Sequence, residues 1–233
     1  MNRRKILSGA QLKYIAFASM LIDHVNKALI YPNLNGGILL VISDIFDILG
    51  RIAFPIFMFL LIEGYFRTTN RWKYLGMLLL FGIISEIPYD MFASASYFEP
   101  HWNNIMFTLA LVLAIVWSID TLKEKMGRRW RILWYFISVV IVGAGCLASM
   151  ILGLDYEYHA VLIGYFLYIF HEKPVWAIPF CYLSIYKEPW ALLGFGLSLT
   201  YNGERGRQNK IVNYLFYPVH LFVLGMIRIY FGF

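Results

Sequence analysis

Apolar runs follow one another from Leu12 to Phe233 with only short polar gaps between them. Runs of this character fall near 12 to 30, 51 to 66, 74 to 92, 104 to 121, 132 to 152, 159 to 170, 175 to 186, 190 to 200 and 213 to 231. A membrane-crossing helix takes about 20 apolar residues, so the longer runs read as spans. The three short ones between 159 and 200 read as tilted, extended into their flanks, or re-entrant. With 60% hydrophobic and 15% charged residues and a mean hydropathy of +0.63, the bilayer and not water is the main solvent. The expected fold is therefore all-α: a polytopic transmembrane helical bundle of about nine embedded segments, with residues 1–233 forming one domain.

Charge sets the expected orientation. Threading the runs alternately through the membrane gathers 16 of the 20 Lys and Arg residues on one side. They come from the N-terminus (Arg3, Arg4, Lys5, Lys13), from Arg67 to Lys73, from Lys123 to Arg131, from Lys173, and from Arg205, Arg207 and Lys210. By the positive-inside rule that side is cytoplasmic, and an odd number of spans leaves the C-terminus outside the inner, cytoplasmic, membrane. The net charge of +6 thus follows the membrane and implies no nucleic-acid partner. The apolar stretch after Lys5 contains Asp23 and His24 and has no small-residue cleavage site, so it reads as a first span and not as a signal peptide. Cys146 and Cys181 lie inside apolar runs, without the spacing of a disulfide framework or a metal site.

Ionisable groups at membrane depth cost roughly 2.5–3.5 kcal/mol or more, so each is a functional candidate. His24 lies eleven residues beyond Lys13, about 16 Å along a helix and near mid-membrane. Glu86 reaches about 18 Å from Tyr74, and His220 about 10 Å from Asn213. Arg51 and Glu63 sit near opposite ends of one span. Neighbouring helical residues point about 100° apart, so Asp23 and His24 are expected to address different partners. The competing readings are structural. A lone intramembrane His can simply bridge helices, Glu63 has Arg67 four residues later, and Asp44 with Asp47 reads as a solvated face of an interfacial helix over 36–49. Pro55, Pro88 and Pro218 would each strip a carbonyl, on Arg51, Ile84 and Tyr214, of its helical donor. Residues 201 to 210 place Arg205, Arg207 and Lys210 among glycines, a composition suited to phosphates and equally to an ordinary cytoplasmic loop.

Seven sequence segments in order resemble the TraX family of membrane proteins. They are Leu12-Lys13 with Met20 and Asp23-His24; Gly50 to Phe57; Glu63-Gly64 with Thr68; Ser85 to Pro88; Asn104 with Phe107-Thr108; Asp155-Tyr156; and Tyr201 to Gly206 leading to Phe216 to Leu221. No family word falls between Leu122 and Leu152. The resemblance implies acetyl transfer from acetyl-CoA to an acceptor, the family's founding member being associated with N-terminal acetylation of F-type conjugative pilin. On that implication His24 is the candidate base, with Asp23 or Glu86 orienting it or the acceptor. Arg51 or Asn104 would stabilise developing negative charge, and His220 is a second catalytic candidate. Asn202, Arg205, Arg207, Lys210 and Glu63 form the candidate cofactor set for acetyl-CoA, with no metal. The acceptor would be a peptide N-terminus, a glycan or a small molecule. A proton- or ion-coupled transporter would use the same intramembrane acids and histidines, and a structural assembly factor is the third class.

Overall fold

The computed structural model describes residues 6–232, so Arg3, Arg4 and Lys5 lie outside it. Among these residues the fold is all-helical, with only two isolated bridges, Leu7 with Tyr201 and Asn103 with Leu154. The ten α-helices are α1 (Gly9–Val25), α2 (Ile38–Gly50), α3 (Ala53–Arg67), α4 (Arg71–Ser94), α5 (Ile105–Met126), α6 (Arg131–Ile151), α7 (Glu157–Ile169), α8 (Ala177–Ser184), α9 (Ala191–Ser198) and α10 (Lys210–Phe231). Every apolar run of the sequence coincides with one of them.

Five helical stretches have the length and hydropathy to cross a membrane: Ile38–Arg67, Arg71–Ser94, Ile105–Met126, Arg128–Ile151 and Lys210–Phe231. Their outward faces suit lipid, since Ile132, Phe136 and Ile151 of the fourth stand well exposed and would be costly in water. α1 is shorter and, with the π-helical turn Asn26–Ile30 that continues it, carries Lys13, Asp23 and Lys27. α8 and α9 have eight residues each, about 12 Å, too short to span upright.

Local chemistry sets the helix ends. Ser8 and Gln11 form a capping box at α1: Ser8 Oγ accepts from the Gln11 N–H, and Gln11 Oε1 accepts from the Ser8 N–H. Asn104 and Asn209 cap α5 and α10. The sequence reading of the prolines needs one correction. Pro88 and Pro218 do lie inside helices, but Pro55 falls in the first turn of α3, where no helical bond exists to be lost.

The chain divides into two compact units. The first comprises Met1–Leu60, Ile83–Pro100 and Ile185–Phe233, the second Leu61–Gly82 and His101–Ser184. The boundaries fall within α3 and α4, so no linker marks them in the sequence. Within the first unit α1 packs on α2 and α10. Small residues permit close approach: a Cβ at Gly50 of α2 would meet Asp23 of α1 at 2.6 Å, and one at Gly225 of α10 would meet Met91 of α4 at 2.6 Å. Side chains of α1 and of the π turn after it also hold α2, Ser19 Oγ donating to the Leu49 carbonyl (2.6 Å) and Asn26 Nδ2 to that of Ser43 (3.0 Å).

Within the second unit α5, α6, α7 and α8 pack in succession. Half-buried Asp120 of α5 collects the hydroxyls of Tyr65 and Tyr168, the latter at 2.8 Å, and the Arg71 guanidinium at 3.4 Å. That guanidinium also lies 4.4 Å from the Tyr65 ring centroid.

Candidate functional site

Two of the histidines singled out by depth meet in the first unit. His24 Nδ1 lies 2.8 Å from His220 Nε2, and the rings stack with centroids 5.0 Å apart at 9°. His220 Nδ1 lies 2.6 Å from the Phe216 carbonyl, one turn earlier on α10. Aromatic rings extend the stack on both sides. Phe216 lies 4.8 Å from His220 and 4.4 Å from Phe17 of α1, while Phe92 of α4 lies 4.6 Å from His24.

Asp23 turns elsewhere, as the 100° offset requires. Its Oδ2 pairs with Lys27 Nζ at 2.7 Å and stands 3.8 Å from His24 Nε2, beyond hydrogen-bond reach. The α-helix gives way to the π turn immediately after this cluster, a departure from regular geometry that is frequent at functional sites.

Arg51 is held by two carboxylates, Asp47 one turn before it and Glu188 at 2.9 Å. Asp47 is therefore an ion-pair partner of the half-buried Arg51 guanidinium while its carboxylate stays partly open to solvent, and Asp44 is exposed.

The 201–209 loop lies over the start of α1. Carbonyls of Glu204 and Arg205 accept from the Gly9 and Ala10 N–H groups at 2.8 and 2.9 Å, and the Asn202 N–H donates to the Leu7 carbonyl at 2.9 Å. Asn202 Oδ1 accepts from the Glu204 N–H at 2.8 Å. Gly206 turns with φ +71°, and a Cβ there would meet Ser8 Oγ at 2.5 Å. Lys13 Nζ reaches Gln208 Oε1 at 3.4 Å, and the Asn209 N–H donates to the Tyr14 hydroxyl at 3.1 Å. The first N–H groups of α1 are thus taken by the loop backbone, while Arg205, Arg207 and Lys210 remain exposed to solvent. A phosphate here would be met by side-chain cations and not by the helix terminus.

The family model described as TraX protein matches residues 8–228. The chain belongs to the TraX family. A curated relative described as "Probable fimbrial assembly protein FimC, serogroup H1", from Dichelobacter nodosus, is 36% identical over 126 residues. That alignment covers 48% of this chain and 47% of the relative, about half of each. No solved structure matches the chain.

The remaining candidates of this TraX-family chain take other places. Glu86 is half-buried on α4 and, six residues before Phe92, is turned about 120° from the face that reaches His24. Asn104 and Glu63 belong to the second unit. Asn104 accepts from the Met106 N–H at 3.0 Å as the α5 cap and donates to the Gly82 carbonyl at 2.9 Å, so its amide is engaged in holding helices. Glu63 pairs with Arg67, as their spacing anticipates, and with His171 at 3.0 Å. Three contacts escaped the sequence reading. Lys27, four residues after Asp23, was visible as an i,i+4 pair; Glu188 and Phe92 reach Arg51 and His24 through tertiary packing and carried no local signal.

Proposed function

We propose that this chain is an acetyl-CoA-dependent acetyltransferase of the inner (cytoplasmic) membrane. In this reading about nine segments are embedded, the N-terminus is cytoplasmic and the C-terminus outside. One observation carries the proposal. The exposed cations of the 201–210 loop lie over the start of α1, and the same helix carries His24 about 16 Å further along, beyond Lys13. Acetyl-CoA has the matching shape, with phosphates for the cationic end and an extended pantetheine arm to bring the thioester inward.

His24 serves as general base for the acceptor amine or hydroxyl. Arg205, Arg207 and Lys210, with Lys13 beside them, hold the phosphates. Family membership and the fimbrial assembly relative support a pilus-related acceptor, a peptide N-terminus first and another envelope molecule second.

Mass spectrometry of envelope peptides and glycans from cells with and without the gene tests this. An acetyl group present on an acceptor only when the chain is made is the expected result; identical acetylation in both strains contradicts it. A C-terminal reporter active only in the cytoplasm should be silent, and an active one would overturn the orientation.

A further inference from the structure

The geometry points to His220 as the positioning residue of His24, holding it in the tautomer whose Nε2 carries a free lone pair; this inference rests on the proposal that His24 is the base. The order of protons is read from one end of the chain of contacts. A carbonyl oxygen only accepts, so the 2.6 Å contact with Phe216 requires the hydrogen on His220 Nδ1. In a neutral ring the other nitrogen, His220 Nε2, is then an acceptor. Its partner at 2.8 Å, His24 Nδ1, must therefore donate. What remains on His24 is a bare Nε2, the atom a general base needs.

The surroundings support this order and offer no rival for Nε2. Asp23, the nearest carboxylate, stands 3.8 Å away and is occupied by Lys27 at 2.7 Å. The groups facing the pair from other helices, Phe92 of α4 and Phe216 and Tyr217 of α10, carry no charge. Arg228 of α10 is engaged with the carbonyls of Phe92 and Ala93 at the end of α4. Ring contacts constrain the planes as well: Phe216 stacks on His220, and Phe92 lies tilted against His24.

The transfer step then balances through one atom. The acceptor lone pair bonds to the acetyl carbonyl carbon while its proton passes to His24 Nε2. The carbon–sulfur bond breaks with its electron pair on sulfur, and the proton moves from Nε2 to sulfur, releasing CoA as the thiol. His220 keeps its own protons throughout and accepts the His24 Nδ1–H bond, which steadies the transient imidazolium. Losing the group that fixes the tautomer of a catalytic His costs up to about 10⁴-fold in the serine-protease triad, so the contribution is large enough to measure.

Two variants and one spectroscopic readout test the assignment. In His220→Gln the amide oxygen still accepts from His24 Nδ1, so turnover should stay within roughly 10-fold of the parent, whereas His220→Leu should lose at least about 10²-fold. Nitrogen-15 NMR of histidine-labelled protein should show His24 Nδ1 protonated and Nε2 bare in the parent and in His220→Gln, and mixed tautomers in folded His220→Leu. A parent His24 protonated on Nε2, parental turnover in His220→Leu, or a folded Gln variant as poor as Leu would each overturn the inference. If no acetyl transfer occurs but the spectra are as stated, the tautomer assignment stands and the base role of His24 falls.

Discussion

Two polar clusters, one in each unit, partner their polar groups in different ways. Around Asp120 both carboxylate oxygens are taken, by the Tyr65 and Tyr168 hydroxyls and by Arg71. That network is closed, with a donor for each acceptor, and its role is to join α3, α4, α5 and α7 within the second unit. In the first unit the chain from the Phe216 carbonyl through His220 to His24 stops at a nitrogen with no hydrogen-bond partner among the contacts described above. A closed network stabilises; an open-ended one leaves a lone pair for chemistry. Hydropathy alone does not distinguish the two.

Mutations should separate the clusters by what they damage. His24→Gln should insert and bind acetyl-CoA normally while turnover falls by roughly 10² to 10⁴-fold, the usual worth of general acid–base catalysis. Near-parental turnover in a folded variant would make the open end another structural contact. Asp120→Ala leaves a guanidinium and two hydroxyls without their acceptor, and should cost about 1–3 kcal/mol of stability. Thermal unfolding in detergent measures this, and the activity of the molecules still folded should be close to parental; a selective loss of turnover would move Asp120 from the closed class to the open one. The mildest effect is expected at the loop. Replacing Arg205 and Lys210 by Ala should raise the KM for acetyl-CoA by roughly 2- to 30-fold, the worth of two exposed charge contacts, and leave kcat and the acceptor KM nearly unchanged. High salt should act in the same direction on the parent. Equal KM values would return the loop to an ordinary connection between helices.

Much of this arrangement was legible in the sequence, for identifiable reasons. Helix positions follow from apolar runs, because in lipid the backbone must bond within its own segment. His24, His220 and Arg51 follow from the cost of burying them. Local pairs follow from spacing, as with Glu63 and Arg67. What the sequence hides is which distant groups meet. His24 and His220 both stand out, yet nothing local says that they touch, and the Glu188 partner of Arg51 comes from the connection between α8 and α9. The π turn after His24 and the division of the chain inside α3 and α4 have no compositional mark either. The i,i+4 pairing of Asp47 with Arg51 runs across the end of α2, where the sequence places a boundary between segments and so gives no sign of it.

The central claim is that the open histidine end serves acetyl transfer, and release of CoA thiol by the purified chain in lipid vesicles tests it most directly. With acetyl-CoA and an envelope extract as the source of acceptor, the account predicts thiol release that requires the extract. It predicts equal moles of acetyl group appearing on an acceptor. Folded protein that neither binds acetyl-CoA nor releases thiol, while moving a solute or protons across the vesicle membrane, would contradict it.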